Sequence, residues 1–115
     1  MVAARLNLWL PVVLCAALIF TFSSIPSLGT GLGTWDLALR KLAHAVEFGV
    51  LGALLYRAVR REPLAILLGT AYAVTDEVHQ AFVSGRKGSP VDWLIDTIGV
   101  AAGVLLYSRW AASRA

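Results

Sequence analysis

Two short runs hold most of the residues able to do chemistry in this chain. The run YAVTDEVHQAFVSGRKGSPVDWLID, Tyr72 to Asp96, supplies Asp76, Glu77, His79, Gln80, Arg86, Lys87, Asp92 and Asp96. An earlier run, KLAHAVE, supplies Lys41, His44 and Glu47. Imidazole beside carboxylate can pass protons as a general acid and base. Arginine and lysine bind phosphate or carboxylate through charge-assisted hydrogen bonds. Nucleophilic catalysis has little support, because Ser84 and Ser89 lie near His79 without an elbow or an oxyanion-hole signature.

Metal binding is a sharper alternative. His44-x-x-Glu47 and Asp76-x-x-His79 each set an imidazole and a carboxylate at i,i+3, the kind of pairing that di-metal helical bundles use. Their order and spacing depart from those bundles, so no metal and no cofactor is expected, with a metal site as the alternative. The single Cys15 lies inside an apolar run, which rules out an intramolecular disulfide and suits packing.

These polar groups sit in a chain that is 58% hydrophobic and 15% charged, the balance of a protein whose solvent is lipid. Four apolar segments, at about 6–22, 41–58, 64–83 and 91–110, are each near the ~20 residues that cross a bilayer core. They are too long for barrel strands, and a helix satisfies its own backbone in lipid. The expectation is an all-α fold: a four-span transmembrane helical bundle with short loops, forming one domain over residues 1–115. The first segment exceeds a signal-peptide core and three spans follow it, so it reads as an uncleaved anchor. Pro11 either starts the first helix or kinks it. RREP (Arg60 to Pro63) reads as a turn, and Ser89, Pro90 and Asp92 resemble a capping box that opens the fourth span.

Arg5, Arg57, Arg60, Arg61, Arg109 and Arg114 fall on one side of the membrane, against Arg40, Lys41, Arg86 and Lys87 on the other. This excess puts both termini in the cytoplasm by the positive-inside rule. Trp9, Tyr56, Tyr107 and Trp110 would line the inner interface, with Trp35 and Trp93 at the outer one. The net charge of +3 does not point to nucleic acid, because the basic residues sit mainly at span ends.

Alternating spans bring Lys41, His44 and Glu47, then Asp76, Glu77, His79 and Gln80, then Asp92 and Asp96 to a single leaflet. With Arg86 in the neighbouring loop, these ten residues form the candidate polar site. Asp92, Asp96, Gly99 and Gly103 share an arc of about 60° at ~100° per residue, so Gly99 and Gly103 are expected to pack a neighbouring helix closely. A homodimer through that glycine face is a competing use of it. Glu77 points about 100° from Asp76 and is not assumed to join it. Buried ionisable groups cost at least ~2.5–3.5 kcal/mol each in a membrane and so face a cavity or one another. An ion-pair network that only staples the helices accounts for some of these groups, yet one or two pairs would hold a small bundle.

The segments KLAHAVEFGVLG, DEVHQAFVSGR and SPVDWLIDTIGVAAG, with the FSS that closes the first span, resemble the VanZ-like family of small bacterial membrane proteins. The resemblance covers most of the chain after residue 20. It implies a role at the bacterial cell envelope, in the cytoplasmic membrane, since the family is named for a protein that confers teicoplanin resistance. It places the signature on Lys41, His44, Glu47, Asp76, Glu77, His79, Gln80, Arg86, Asp92 and Asp96. Ser84 stands where the family often has proline, and some members carry asparagine at the position of Asp96. The expected function is to bind or modify an amphipathic envelope molecule, such as a lipid headgroup, a cell-wall precursor or a lipoglycopeptide. A membrane-embedded acid–base or metal enzyme, and a purely structural bundle, are the alternatives. Membrane lipids or lipid-linked molecules are the expected partners.

Overall fold

The structure is a computed structural model and describes residues 2–23, 34–82 and 90–114. Four helices account for it: α1 (Val2–Ser23), α2 (Thr34–Val59), α3 (Glu62–Ala81) and α4 (Pro90–Ser113). Arg86, Lys87 and the expected cap at Ser89 lie outside the described residues, as do Ser84 and most of the first loop. At ~1.5 Å per residue, helices of 20 to 26 residues reach about 30–39 Å, enough to cross the hydrocarbon core.

Three segments, Ala3–Phe22, Ala38–Val59 and Val91–Ser113, are long and apolar enough to span a membrane by length and composition. The 20-residue α3 is less apolar because it carries Glu62 in its first turn and Asp76, Glu77, His79 and Gln80 near its end. Its polarity is turned inward, with Asp76 and Gln80 buried. Elsewhere the exterior is apolar: Leu18 and Leu106 are about 70% exposed, at 68% and 70%. A surface of that kind suits acyl chains rather than water.

The helices alternate in direction. Tyr72 donates its hydroxyl to the Ala16 carbonyl at 2.6 Å and His79 stacks on Phe20, so α1 and α3 run parallel. On α2 and α4, Ala45 meets Gly99 and Gly49 meets Gly103, so these two also run parallel, opposite to the first pair. The inner pair is α2 and α3, with α1 on one flank and α4 on the other. Phe48, Ile19, Leu51, Val100 and Val104 fill the core between them.

Glycine makes the α2–α4 seam possible. A Cβ on Gly99 would stand 2.5 Å from the Ala45 carbonyl oxygen, and one on Gly52 would stand 2.4 Å from that of Val100. Both Gly99 and Gly103 are engaged by α2 of the same chain, which is the internal alternative to a dimer through that face. An open apolar groove of about 860 Å³ runs along α2 and α4, lined by residues such as Val46, Val50, Ile98 and Leu106 and by none of the candidate polar residues.

At the far end, α2 stops at Arg60, whose φ of 60° is left-handed while its N–H still reaches the Tyr56 carbonyl at 2.7 Å. Pro63 then falls within the first turn of α3, where its missing N–H costs nothing. Tyr56, Tyr107 and Trp110 make an aromatic cluster here, with Arg114 over the Trp110 ring.

Pro11 lies inside α1 rather than at its start. It has no N–H to give the carbonyl four residues back, which belongs to Asn7. Arg57 of α2 supplies the missing donor, its Nη1 reaching the Asn7 oxygen at 3.0 Å. Arg57→Ala is therefore expected to cost about 1 kcal/mol in the native background. It should cost little in Pro11→Ala, where the helix satisfies Asn7 itself. A double-mutant cycle on detergent unfolding measures the difference, and equal costs in both backgrounds would show that the two features are unrelated.

Candidate functional site

The candidate polar residues described on α2, α3 and α4 gather at the end of the bundle away from this aromatic cluster. His44, Asp76 and Asp96, one from each helix, meet at its centre and are 5%, 2% and 2% exposed. His44 Nδ1 stands 3.9 Å from Asp76 Oδ2 and 3.9 Å from Asp96 Oδ1. Asp76 is oriented from its own helix, because Gln80, one turn on, donates its Nε2 to Asp76 Oδ2 at 2.9 Å. Asp96 holds the inner face of α4 one turn before Val100, which is itself fully buried.

Around this junction lies a ring of further charge. Lys41 Nζ and Asp92 Oδ1 form an ion pair at 3.3 Å, at the rim, where both are partly exposed. A pair of that exposure contributes at most about 1 kcal/mol. Glu47 is half-buried one turn inward from His44, and one of its oxygens is shielded from water without a hydrogen bond. Glu47, Asp76, Glu77 and Asp92 all lie close enough to repel a charge on Asp96. Glu77 thus joins the field of the site although it does not share the face of Asp76.

His79 is placed differently. Its ring stacks on Phe20 of α1 at 3.9 Å between centroids, so it belongs to the α1–α3 contact rather than to the His44 junction. The i,i+3 pairs His44/Glu47 and Asp76/His79 therefore do not form the two halves of a metal site. Among the described residues, those close enough to share a cation are His44, Asp76 and Asp96, whose candidate ligand atoms all lie within 4.8 Å of one another.

A family profile described as VanZ/LLP1 matches residues 4–111, which include every residue of this site. The chain belongs to the VanZ/LLP1 family. No curated protein and no solved structure matches it.

This VanZ-family chain also buries a residue that the sequence reading counts among the outer-side basic groups. Arg40 is only 5% exposed. Its Nη1 and Nη2 are shielded from water and have no hydrogen-bond partner among the described residues. The guanidinium carbon lies 5.5 Å from the centre of the Phe22 ring, and the His44 ring lies 5.5 Å from the same ring. Arg40 and His44 therefore flank one aromatic side chain. The signal is present in the sequence: four residues apart on a helix, Arg40 and His44 share a face. Phe22 and Phe48 are the other residues that motif reading passes over. Phe48 is fully buried against both His44 and Tyr72 and closes the site on its apolar side.

Proposed function

We propose that this VanZ-family protein binds an amphipathic molecule of the bacterial envelope, with an anionic headgroup in the polar site and an apolar tail left in lipid. One observation carries the reading: a guanidinium buried among hydrophobic helices with both terminal nitrogens unpartnered. Leaving a buried charged donor unsatisfied costs about 1–3 kcal/mol or more, and evolution retains such a cost where a ligand removes it. Arginine suits a phosphate or carboxylate because its planar fork makes two parallel hydrogen bonds. The basic ends of α2 and α4 face the cytoplasm in this proposal, by the positive-inside rule. The site then opens at the outer face of the cytoplasmic membrane, where envelope precursors and glycopeptides meet. Protection against a glycopeptide such as teicoplanin would follow from capture or modification of such a molecule.

Lipid analysis by mass spectrometry of the gently purified protein tests this. A phosphorylated or carboxylated envelope lipid is expected to co-purify reproducibly with the native chain. Its amount should fall at least tenfold in Arg40→Gln, given the strength of charge-assisted bonds. A lipid profile matching the bulk membrane in both proteins would sink the reading.

A further inference from the structure

We infer that the junction of α2, α3 and α4 is a divalent-cation site. His44, Asp76 and Asp96 each give one ligand to a transition-metal ion of the zinc or manganese type, and that ion ties the anionic headgroup to the protein. The inference rests on the headgroup-binding reading above for its second half, and on local geometry alone for its first.

The separations suit a shared ion better than direct bonds. Charge-assisted N–H···O contacts run about 2.7–2.9 Å, whereas His44 Nδ1 stands 3.9 Å from each carboxylate oxygen. Ligand atoms about 2.1 Å from a tetrahedral ion are roughly 3.4 Å apart. Closing each His44–carboxylate separation by about half an ångström would bring those pairs there, while the two carboxylates, within 4.8 Å of each other, would close by up to about 1.4 Å. One imidazole nitrogen with two carboxylate oxygens is a donor set for zinc or manganese rather than for a soft, thiolate-seeking metal. Gln80 already holds Asp76 Oδ2 from the outer shell, the kind of contact that orients metal-binding carboxylates. Asp76 Oδ1 and Asp96 Oδ2 are out of water without hydrogen-bond partners among the described residues.

Arg40 is the independent second observation. The described part of the site sets Glu47, Asp76, Glu77, Asp92 and Asp96 against the fixed cations Arg40 and Lys41, and Lys41 is paired at the rim with Asp92. At short range an anionic headgroup approaching Arg40 would meet the field of the carboxylates at the junction. A dication on His44, Asp76 and Asp96 reverses the sign of that field at short range. Three protein ligands leave a coordination position open. One oxygen of the headgroup would fill it, and Arg40, which begins the same face of α2 one turn before His44, is the nearby buried cation that would attract the rest of the anion.

The test uses the metal alone. The full chain is purified in detergent, stripped with a chelator and titrated with Zn²⁺ and with Mn²⁺. Bound metal is counted by elemental mass spectrometry, affinity is read by calorimetry, and circular dichroism checks that each variant is folded. About one ion per chain is expected for one of the two metals. Asp96→Asn and His44→Gln should each weaken binding by at least tenfold, since even outer-shell changes at such sites cost ~10–100-fold. Leu106→Ala, on the exposed lipid-facing surface, should keep the metal affinity within about threefold. Binding far below one ion per chain, or folded Asp96→Asn and His44→Gln proteins that bind as the native chain does, would overturn the site. The two readings fail separately. A chelated protein that keeps its phosphorylated lipid and binds no metal overturns the cation and leaves the headgroup. Metal bound stoichiometrically with no enriched lipid does the reverse.

Discussion

Gly103→Val is expected to unfold or badly loosen the bundle, with a loss of about 3 kcal/mol or more. A Cβ on Gly103 would stand 1.8 Å from the Gly49 carbonyl oxygen and 2.6 Å from the carbonyl carbon. The obstacle is backbone of the facing helix, which cannot rotate aside as a side chain would. Overpacking a well-filled core costs about 1–3 kcal/mol even where neighbours can adjust, and here α2 and α4 must move apart. Total stabilities are only about 5–15 kcal/mol, so the change removes a large share. It would also pull Asp96 away from His44 and spoil the site. Reversible unfolding in mixed micelles gives the number, with Ala102→Val as the control. Ala102 is exposed along the lipid-facing groove, and a change there should stay within about 0.5 kcal/mol. A Gly103→Val chain as stable as the native one, but altered in oligomeric state, would instead mean that the glycine face serves a dimer.

Much of this architecture is legible in the order of residues. Helices that alternate across a membrane must bring the start of α2, the end of α3 and the start of α4 to one level, so His44, Asp76 and Asp96 could be placed together from depth alone. Angular arithmetic carried Gly99 and Gly103 as well, because a small residue every fourth position marks a close helix contact. What periodicity does not show is which helix a face meets. His79 shares the narrow face of Asp76, yet the parallel packing of α1 and α3 turns its ring onto Phe20. Arg40 is obscured for a different reason. A basic residue at a span end is normally interfacial, and only the depth at which α2 begins, at Thr34 rather than near residue 41, puts it inside. The same shift changes the topology argument. With Arg40 withdrawn into the bundle, one of the four basic residues that the sequence sets against the six arginines no longer stands at a span end.

Asp76→Asn separates a working site from a staple by the sign of two measurements. If the cluster exists to hold the helices together, removing a carboxylate from a buried pair leaves His44 unmatched and costs about 3–5 kcal/mol. A site kept for binding behaves in the opposite way. Asp76 is 2% exposed and shares its surroundings with Glu47, Glu77, Asp92 and Asp96, so its loss relieves repulsion between like charges. Asparagine keeps the shape and an oxygen that can still accept from Gln80. Metal-stripped Asp76→Asn is therefore expected to unfold at the same point as the native protein or up to about 1 kcal/mol later. Ligand capture, and any protection against teicoplanin measured at matched protein levels in cells, is expected to fall at least a hundredfold and to background, respectively. On the binding proposal, the carboxylate's charge serves the ligand while the neutral amide keeps its packing and the bond from Gln80. Stability lost with function retained would mark the cluster as structural, and the charges at the heart of the bundle would then be explained by one another.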